Sequence, residues 1–233
     1  MPELPLEVAV DRAIHAAHPD YVGLVLVACG LRNGPSDAAS DALLAAVERE
    51  LRASGLERAA DHPHIASWRA AFSSIGSKPS RYPSSAEALL SRVLKGQELP
   101  RINVLVDLYN AVSVRWVLPI GGEDVDRLTG PLRLVVATGG EPFDPRDDGS
   151  EVEQVPAGEV VWRDDVGVTC RRWNWRQGRR TQLTEETTRA FFVFDRLDGL
   201  RVEHLRAAVD DLSNLLVERW PGCRLERIEQ ASR

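Results

Sequence analysis

Aliphatic and β-branched residues run unbroken through VGLVLVACG (22–30), and this stretch, closed by a glycine, predicts a buried strand. Leu43, Val47 and Leu51 then recur at helical spacing between Ser40 and Ser54, and Gly55 stands where the helix should stop. HIASWRAAFSSIG sets Ile65, Trp68 and Phe72 on one face of a short helix. SRYP forces an extended link, because Tyr82 precedes a proline. Ser84 and Glu87 have capping-box spacing in front of AEALLSRVLK, and Gly96 is placed to end that helix.

The next predicted helix, 103–117, divides into two faces. Val106, Tyr109, Val112 and Trp116 make an apolar one, while Asn103, Asp107 and Asn110 share another. Strands follow in LRLVVAT, EVVWR, VGVTCRRW and AFFVFD, separated by turn signals at Gly121–Gly122, Gly139–Gly140 and Asp147–Asp148–Gly149. EVVWRDDVGVTCRRW reads as a hairpin turning at Asp164–Asp165. Val202, Leu205, Val209, Leu212 and Leu216 predict one amphipathic helix over 201–219, ended by Pro221–Gly222 and packed on the rest by that stripe. Helices early and strands late argue for an α+β fold in a single domain, 1–233.

Composition changes this picture in two places. At 43% hydrophobic the 233-residue chain can bury a substantial core, and a net charge of −6 excludes sequence-blind coating of DNA or RNA. Yet CRRWNWRQGRRT (170–181) holds five arginines and two tryptophans with no acidic residue between them. Guanidinium and indole together suit a nucleic-acid end, one holding phosphate and the other stacking on an unpaired base. The plainer alternative is a solvated face with core tryptophans.

Three cysteines without a CxxC pair fit a reducing, cytoplasmic setting. The N-terminal residues have no basic region leading a long apolar run, so neither signal peptide nor membrane span is expected. His62 and His64 bracket a proline and read as the surface at a helix start. No metal site is expected from them, and no glycine loop of Walker or Rossmann type implies a cofactor.

The segment LPRINVLVDLYNAVSVRWVLPIGGEDVDRL (99–128) resembles the signature helix of the editing domain of the phenylalanyl-tRNA synthetase beta subunit, the B3/B4 domain. Arg101, Asn103, Val106, Asp107, Asn110, Pro119, Asp124, Asp126 and Leu128 carry the likeness, which extends through GEPFDP (140–145) and TQLTEETTRAFFVFD (181–195). It covers about residues 60–200, and RRWNWRQ resembles a block of free-standing members. The resemblance implies a compact fold of mixed and antiparallel sheets with packed helices, and a pocket for the aminoacylated 3′ end of a tRNA.

Hydrolysis of an aminoacyl ester needs a positioned water and donors for the oxyanion rather than a strong base. Under that reading Asp107 and Asn110 are catalytic, orienting the water or holding the substrate ammonium; their alternative is bracing a neighbouring loop. Asn103, Gly121, Gly122, Gly139, Gly140 and Glu141 are substrate-binding, although each glycine pair also reads as a plain turn. Arg171, Arg172, Trp173, Asn174, Trp175 and Arg176 are tRNA-binding, with one tryptophan expected to point inward. Two positions depart from the synthetase. Gly121 stands in place of its histidine, and its last-strand glutamate falls on FFVF, leaving Asp195 or Glu141 as the carboxylates that offset the loss. Its tyrosine specificity therefore does not transfer.

Three functions compete on this reading. The first is a trans-acting deacylase of mischarged tRNA, without cofactor, DNA or membrane as partner. The others are a non-catalytic tRNA-binding module using the same pocket, and an amino-acid sensor with no use for the arginines.

Overall fold

The computed structural model describes residues 6–145 and 151–231, so the turn expected at Asp147–Asp148–Gly149 lies outside the described residues. The chain opens with β1 (Val8–Val10) and α1 (Arg12–Ala17), then β2 (Val22–Cys29), α2 (Ala38–Ala53), α3 (Pro63–Ser74), α4 (Ser85–Leu94) and α5 (Val104–Trp116). Strands follow as β3 (Ile120–Asp124), β4 (Leu132–Val136), β5 (Glu141–Phe143), β6 (Glu153–Val155), β7 (Val160–Arg163), β8 (Val168–Arg171), β9 (Arg176–Gln177) and β10 (Arg189–Arg196). α6 (Val202–Arg219) and β11 (Arg224–Ala231) complete it.

Two sheets organise these elements. The smaller is antiparallel, in the order β11-β2-β10-β3. The larger runs β1-β4-β7-β8-β5-β6 with β9 on β8, and mixes antiparallel pairs with the parallel pairs β1·β4 and β5·β8. The fold is therefore α+β with mixed sheets.

β2 is an apolar run because both its faces are covered. Leu24, Leu26 and Ala28 pack with Phe192 and Phe194 of β10 under α5 and α6. Val25, Val27 and Cys29 face the other way, against Leu132, Leu134 and Trp162 of the larger sheet and Trp68 of α3. α2, α4 and α5 share a third cluster around Leu44, Val47, Leu90 and Val114. On α6, Leu205, Val209, Leu212 and Leu216 are fully buried, each contributing about 1.5–3 kcal/mol of burial.

Three expectations are corrected. Gly121–Gly122 is not a turn but the middle of β3, paired with Val193 and Phe192. Glycine is needed at 122 because a Cβ there would meet Tyr109, Phe192 and Leu183 at about 3 Å. Ser84 caps α4 through the Glu87 N–H at 3.3 Å, but the Glu87 carboxylate turns to Arg69 instead of closing the box. His62 caps α3, whereas His64 is buried rather than at the surface. Its Nδ1 donates to Val117 O at 2.8 Å, and its Nε2 accepts from Trp68 Nε1 and Leu197 N. That neutral tautomer is locked, and burial pushes its pKa down to about 4.

Candidate functional site

A cavity of about 240 Å³ opens between α4, α5, β3, β10 and the β8–β9 hairpin. α5 sends Tyr109 and Asn110 into it, β3 Glu123, and β10 Val193 and Asp195. Gly121, Ser85 and Leu89 also line it, more accessible, with Trp175, Arg176 and Gln177. Both sheets and two helices thus meet at this one opening.

The hairpin explains the arginine- and tryptophan-rich stretch. β8 ends at Arg171, which pairs with Arg176, so residues 172–175 form the turn. Arg172 and Trp173 are left-handed, at φ 47° and 67°, a conformation that costs a non-glycine residue on the order of 1 kcal/mol. Burial holds it in place. The Trp173 N–H donates to Val160 O at 2.7 Å, and its ring sits fully buried, edge-on to Trp68 and Tyr21 at 5.2 and 5.0 Å. Asn174 follows, donating from Nδ2 to Asp195 Oδ2 at 3.2 Å. Trp175 stays partly exposed, against the Tyr82 ring at 4.7 Å.

The arginines are not a free cationic patch. Arg171 forks onto Glu159 at 2.8 and 2.9 Å and also pairs with Glu153. Arg172 reaches the same Glu159 at 3.2 Å, bonds Ser77 Oγ at 2.8 Å and lies 4.0 Å over Tyr82. Arg179 bonds Asp144, and Arg180 forks onto the buried Asp164 at 2.7 and 2.9 Å. Arg176 is held most loosely, 4.0 Å from Glu153. The acids that sequence neighbourhood lacked arrive from other strands and turns. Arg171, Arg172 and Trp173 are thereby committed to internal structure; Arg176 and Trp175 remain at the opening.

The cavity's unusual chemistry is acidic. Asp195 is buried and accepts from Tyr21 Oη at 2.8 Å as well as from Asn174. Burial pushes its pKa up to about 7, against the pull of those hydrogen bonds. Glu123 is also buried, and burial raises it likewise to about 7 although the Thr181 and Thr169 hydroxyls oppose the shift. No hydrogen bond closes on Glu123 Oε2, nor on Asn174 Oδ1. The Cys170 thiol is pushed well up by burial and then by these two carboxylates, which favours the thiol over the thiolate.

The expected site residues separate sharply. Asn110 lines the cavity, and its amide makes no hydrogen bond among the described residues. Asp107, on the same helix, does not. It is fully buried, accepting from Ser40 Oγ at 2.7 Å and from the Ile102 N–H at 3.1 Å, so it braces the start of α5 against α2. Asn103 caps α5 through the Val106 N–H and donates to Leu183 O. Arg101 is spent on Asp41 and Glu48. Most of the signature is therefore architecture.

Of the glycines, Gly121 lines the opening, but its N–H and C=O face β10. The alternation follows from its neighbours, since Gly122 O accepts from Gln177 Nε2 and the Asp124 N–H donates to Thr181 O, both away from β10. The Gly122 N–H thus lies on the outer edge of β3. Gly139 and Gly140, at φ 101° and 87°, form a turn outside the cavity. Glu141 clamps that turn through Thr138 N and Gly139 N at 2.7 and 2.9 Å and does not reach the cavity either. Of the two carboxylates considered as replacements for the synthetase glutamate, only Asp195 is in the cavity. Glu123, Tyr109, Trp162 and Gln177 were not anticipated there. Glu123 lay hidden in the apparent turn IGGED, whose only signal was an acid beside two glycines.

The B3/4 domain family model matches residues 67–218, more than half of the chain, spanning α5, the cavity strands and the hairpin. No curated protein matches. Among solved structures, the chain is similar to an N-terminal fragment of the phenylalanyl-tRNA synthetase beta-subunit from Pyrococcus horikoshii. The similarity has 14% sequence identity and a TM-score of 0.48, over 100% of this chain and 56% of the fragment. The chain thus spans little more than half the length of that fragment, and the family assignment rests on the family model.

Proposed function

Because the chain belongs to the B3/4 domain family, we propose that it acts at the aminoacylated end of tRNA, hydrolysing in trans the ester of a wrongly attached amino acid. Family membership supports the coarser part, a general tRNA-binding or editing role. The finer part is carried by one observation: an Asn110 amide with no hydrogen bond among the described residues, facing an open cavity of about 240 Å³.

The aminoacyl group enters the cavity while the tRNA stays outside. Water attacks the ester carbonyl, a carbon–oxygen bond forms, and the bond to the ribose oxygen breaks as that oxygen takes the water's proton. Asn110 orients the water or donates to the oxyanion. Such a donor is worth about 100-fold in rate. Arg176 meets a terminal phosphate and Trp175 stacks on the terminal base.

A non-catalytic tRNA-binding module is the second reading. It is favoured by Gly121 at the position of the synthetase histidine, and by the lack of any histidine among the described residues that line the cavity. One experiment separates the two: total tRNA charged with near-cognate and non-protein amino acids, incubated with the protein in single-turnover excess. A deacylase releases amino acid from at least one charged species. A module binds charged and uncharged tRNA alike and releases none.

A further inference from the structure

We infer that the inner end of the cavity receives a primary ammonium at the tip of an aminoacyl side chain, of the lysine or ornithine type. The inference rests on reading the cavity as an aminoacyl site.

Two carboxylates face this space, Asp195 and Glu123, with 2% and 5% of their surface exposed. Among the described residues, neither has a cationic partner within ion-pair distance. Of the arginines nearest in sequence to the lining, Arg171, Arg172, Arg179 and Arg180 are bound to Glu159, Asp144 and Asp164, while Arg176, at the opening, lies 4.0 Å from Glu153. Buried carboxylates are normally paired, so the missing positive charge is expected to come from the occupant. A second observation is independent of the acids. Asn174 is 7% exposed, lines the cavity, and leaves its Oδ1 without a partner. Its orientation is fixed by Nδ2, which donates to Asp195.

The unmet demand is for donors. An ammonium has three N–H groups and no acceptor. Glu123 Oε2 and Asn174 Oδ1 are each open, and the Asp195 oxygens, which accept one bond apiece from Tyr21 and Asn174, keep further lone pairs. A phenolic hydroxyl would bring one hydrogen and no charge. Tyr109, Trp162 and Trp173 supply aromatic walls suited to a cation. The Trp162 and Trp173 indole N–H groups also lack partners, but they carry no charge and leave the carboxylates uncompensated.

Depth selects the side-chain ammonium over the α-ammonium. A tRNA end cannot enter a space of about 240 Å³, so the ester stays at the opening beside Gly121 and Gln177. The α-ammonium is two bonds from the ester carbonyl and stays there with it. The side chain is the part that enters the buried space lined by Asp195 and Glu123.

The test uses amino-acid amides, which share the α-ammonium and do not need tRNA or hydrolysis. Lysinamide, ornithinamide, norleucinamide and tyrosinamide are titrated into the protein by calorimetry. Lysinamide or ornithinamide should bind at least tenfold more tightly than norleucinamide and tyrosinamide. Asp195→Asn and Glu123→Gln, each shown by melting to be folded, should abolish that preference. Equal binding of lysinamide and norleucinamide, tighter binding of tyrosinamide, or no binding of any amide would overturn the inference. A retained preference without release from any charged tRNA would sink the deacylase reading alone.

Discussion

Asn174 Nδ2 donates to Asp195 Oδ2 at 3.2 Å, and this bond ties the left-handed hairpin turn to β10 of the smaller sheet. The turn therefore does more than connect β8 to β9. It brings an amide to a carboxylate that otherwise accepts only from Tyr21. The tension at Asp195 makes it the most informative residue to titrate.

Asp195→Asn should raise stability, and more so as pH rises. The unfolded chain loses this proton near the ordinary value of 3.8, the folded one near 7. Between those values the folded protein holds an extra proton, so ionising Asp195 costs stability as pH climbs, with the cost complete above about 7. Tyr21, Glu123 and Cys170 face the group, and none brings a positive charge. The shift sets an upper bound of about 4 kcal/mol. Asparagine keeps an acceptor for Tyr21, and Asn174 can flip to present its open Oδ1. His64 works in the opposite sense: held neutral down to about 4, it loses stability as pH falls from 6.5. Melting across that range should show the variant gaining on the natural chain as pH rises. A constant difference would mean Asp195 ionises normally.

Arg171→Ala and Arg176→Ala should fail differently. Removing Arg171 leaves the buried Glu159 with Arg172 as its one remaining cation and should cost about 1.5–3 kcal/mol. Arg176 is loosely paired, so its loss should leave melting nearly unchanged while lowering the salt slope of tRNA binding by about one phosphate contact. Unchanged affinity and slope in a folded Arg176→Ala protein would remove the residue from the tRNA contact.

Sequence made the long elements legible because each has a single-period pattern: β2 and β10 as apolar runs, α6 as a stripe from Val202 to Leu216. It hid β11, RLERIEQA, because Leu225 and Ile228 fall three apart rather than two and the strand is an edge rich in charge. The candidate site was half legible. Asn110 and Trp175 stand where helix face and composition put them. The arginine cluster misled, because its neutralising acids are non-local: Asp164 and Glu159 belong to other segments and meet it only in the folded sheet. Asp107 and Asn110 share a helical side, yet a step of one turn separates a brace from a cavity wall.

Gly122→Ala should harm the cavity where Gly121→Ala does not. A Cβ at 122 meets Leu183 at 2.9 Å and Phe192 and Tyr109 at 3.0 Å, while one at 121 meets nothing within 4 Å. Tyr109 is the one of the three that lines the cavity, so relief by moving it narrows the space. Gly122→Ala should lose about 1–3 kcal/mol in melting and bind cavity ligands more weakly. Equal melting of the two variants would show that the neighbours yield freely.

Asp107→Ala and Asn110→Ala should split stability from chemistry. Asp107 leaves two groups behind when truncated, the Ser40 hydroxyl and the Ile102 N–H, both in the brace between α2 and α5. That loss should lower stability by about 2–4 kcal/mol, since the broken bonds involve a buried charged acceptor. The folded fraction should still deacylate at close to the natural rate per molecule. Asn110 has no bond to lose, so truncation should leave melting within about 1 kcal/mol. Single-turnover release from mischarged tRNA should instead fall about 100-fold, with affinity for uncharged tRNA retained. The two measurements, melting and rate per folded molecule, must therefore move for different variants. If Asn110→Ala hydrolyses normally, the oxyanion is met elsewhere. If Asp107→Ala slows release while melting unchanged, the brace assignment is wrong and the carboxylate acts on the chemistry after all.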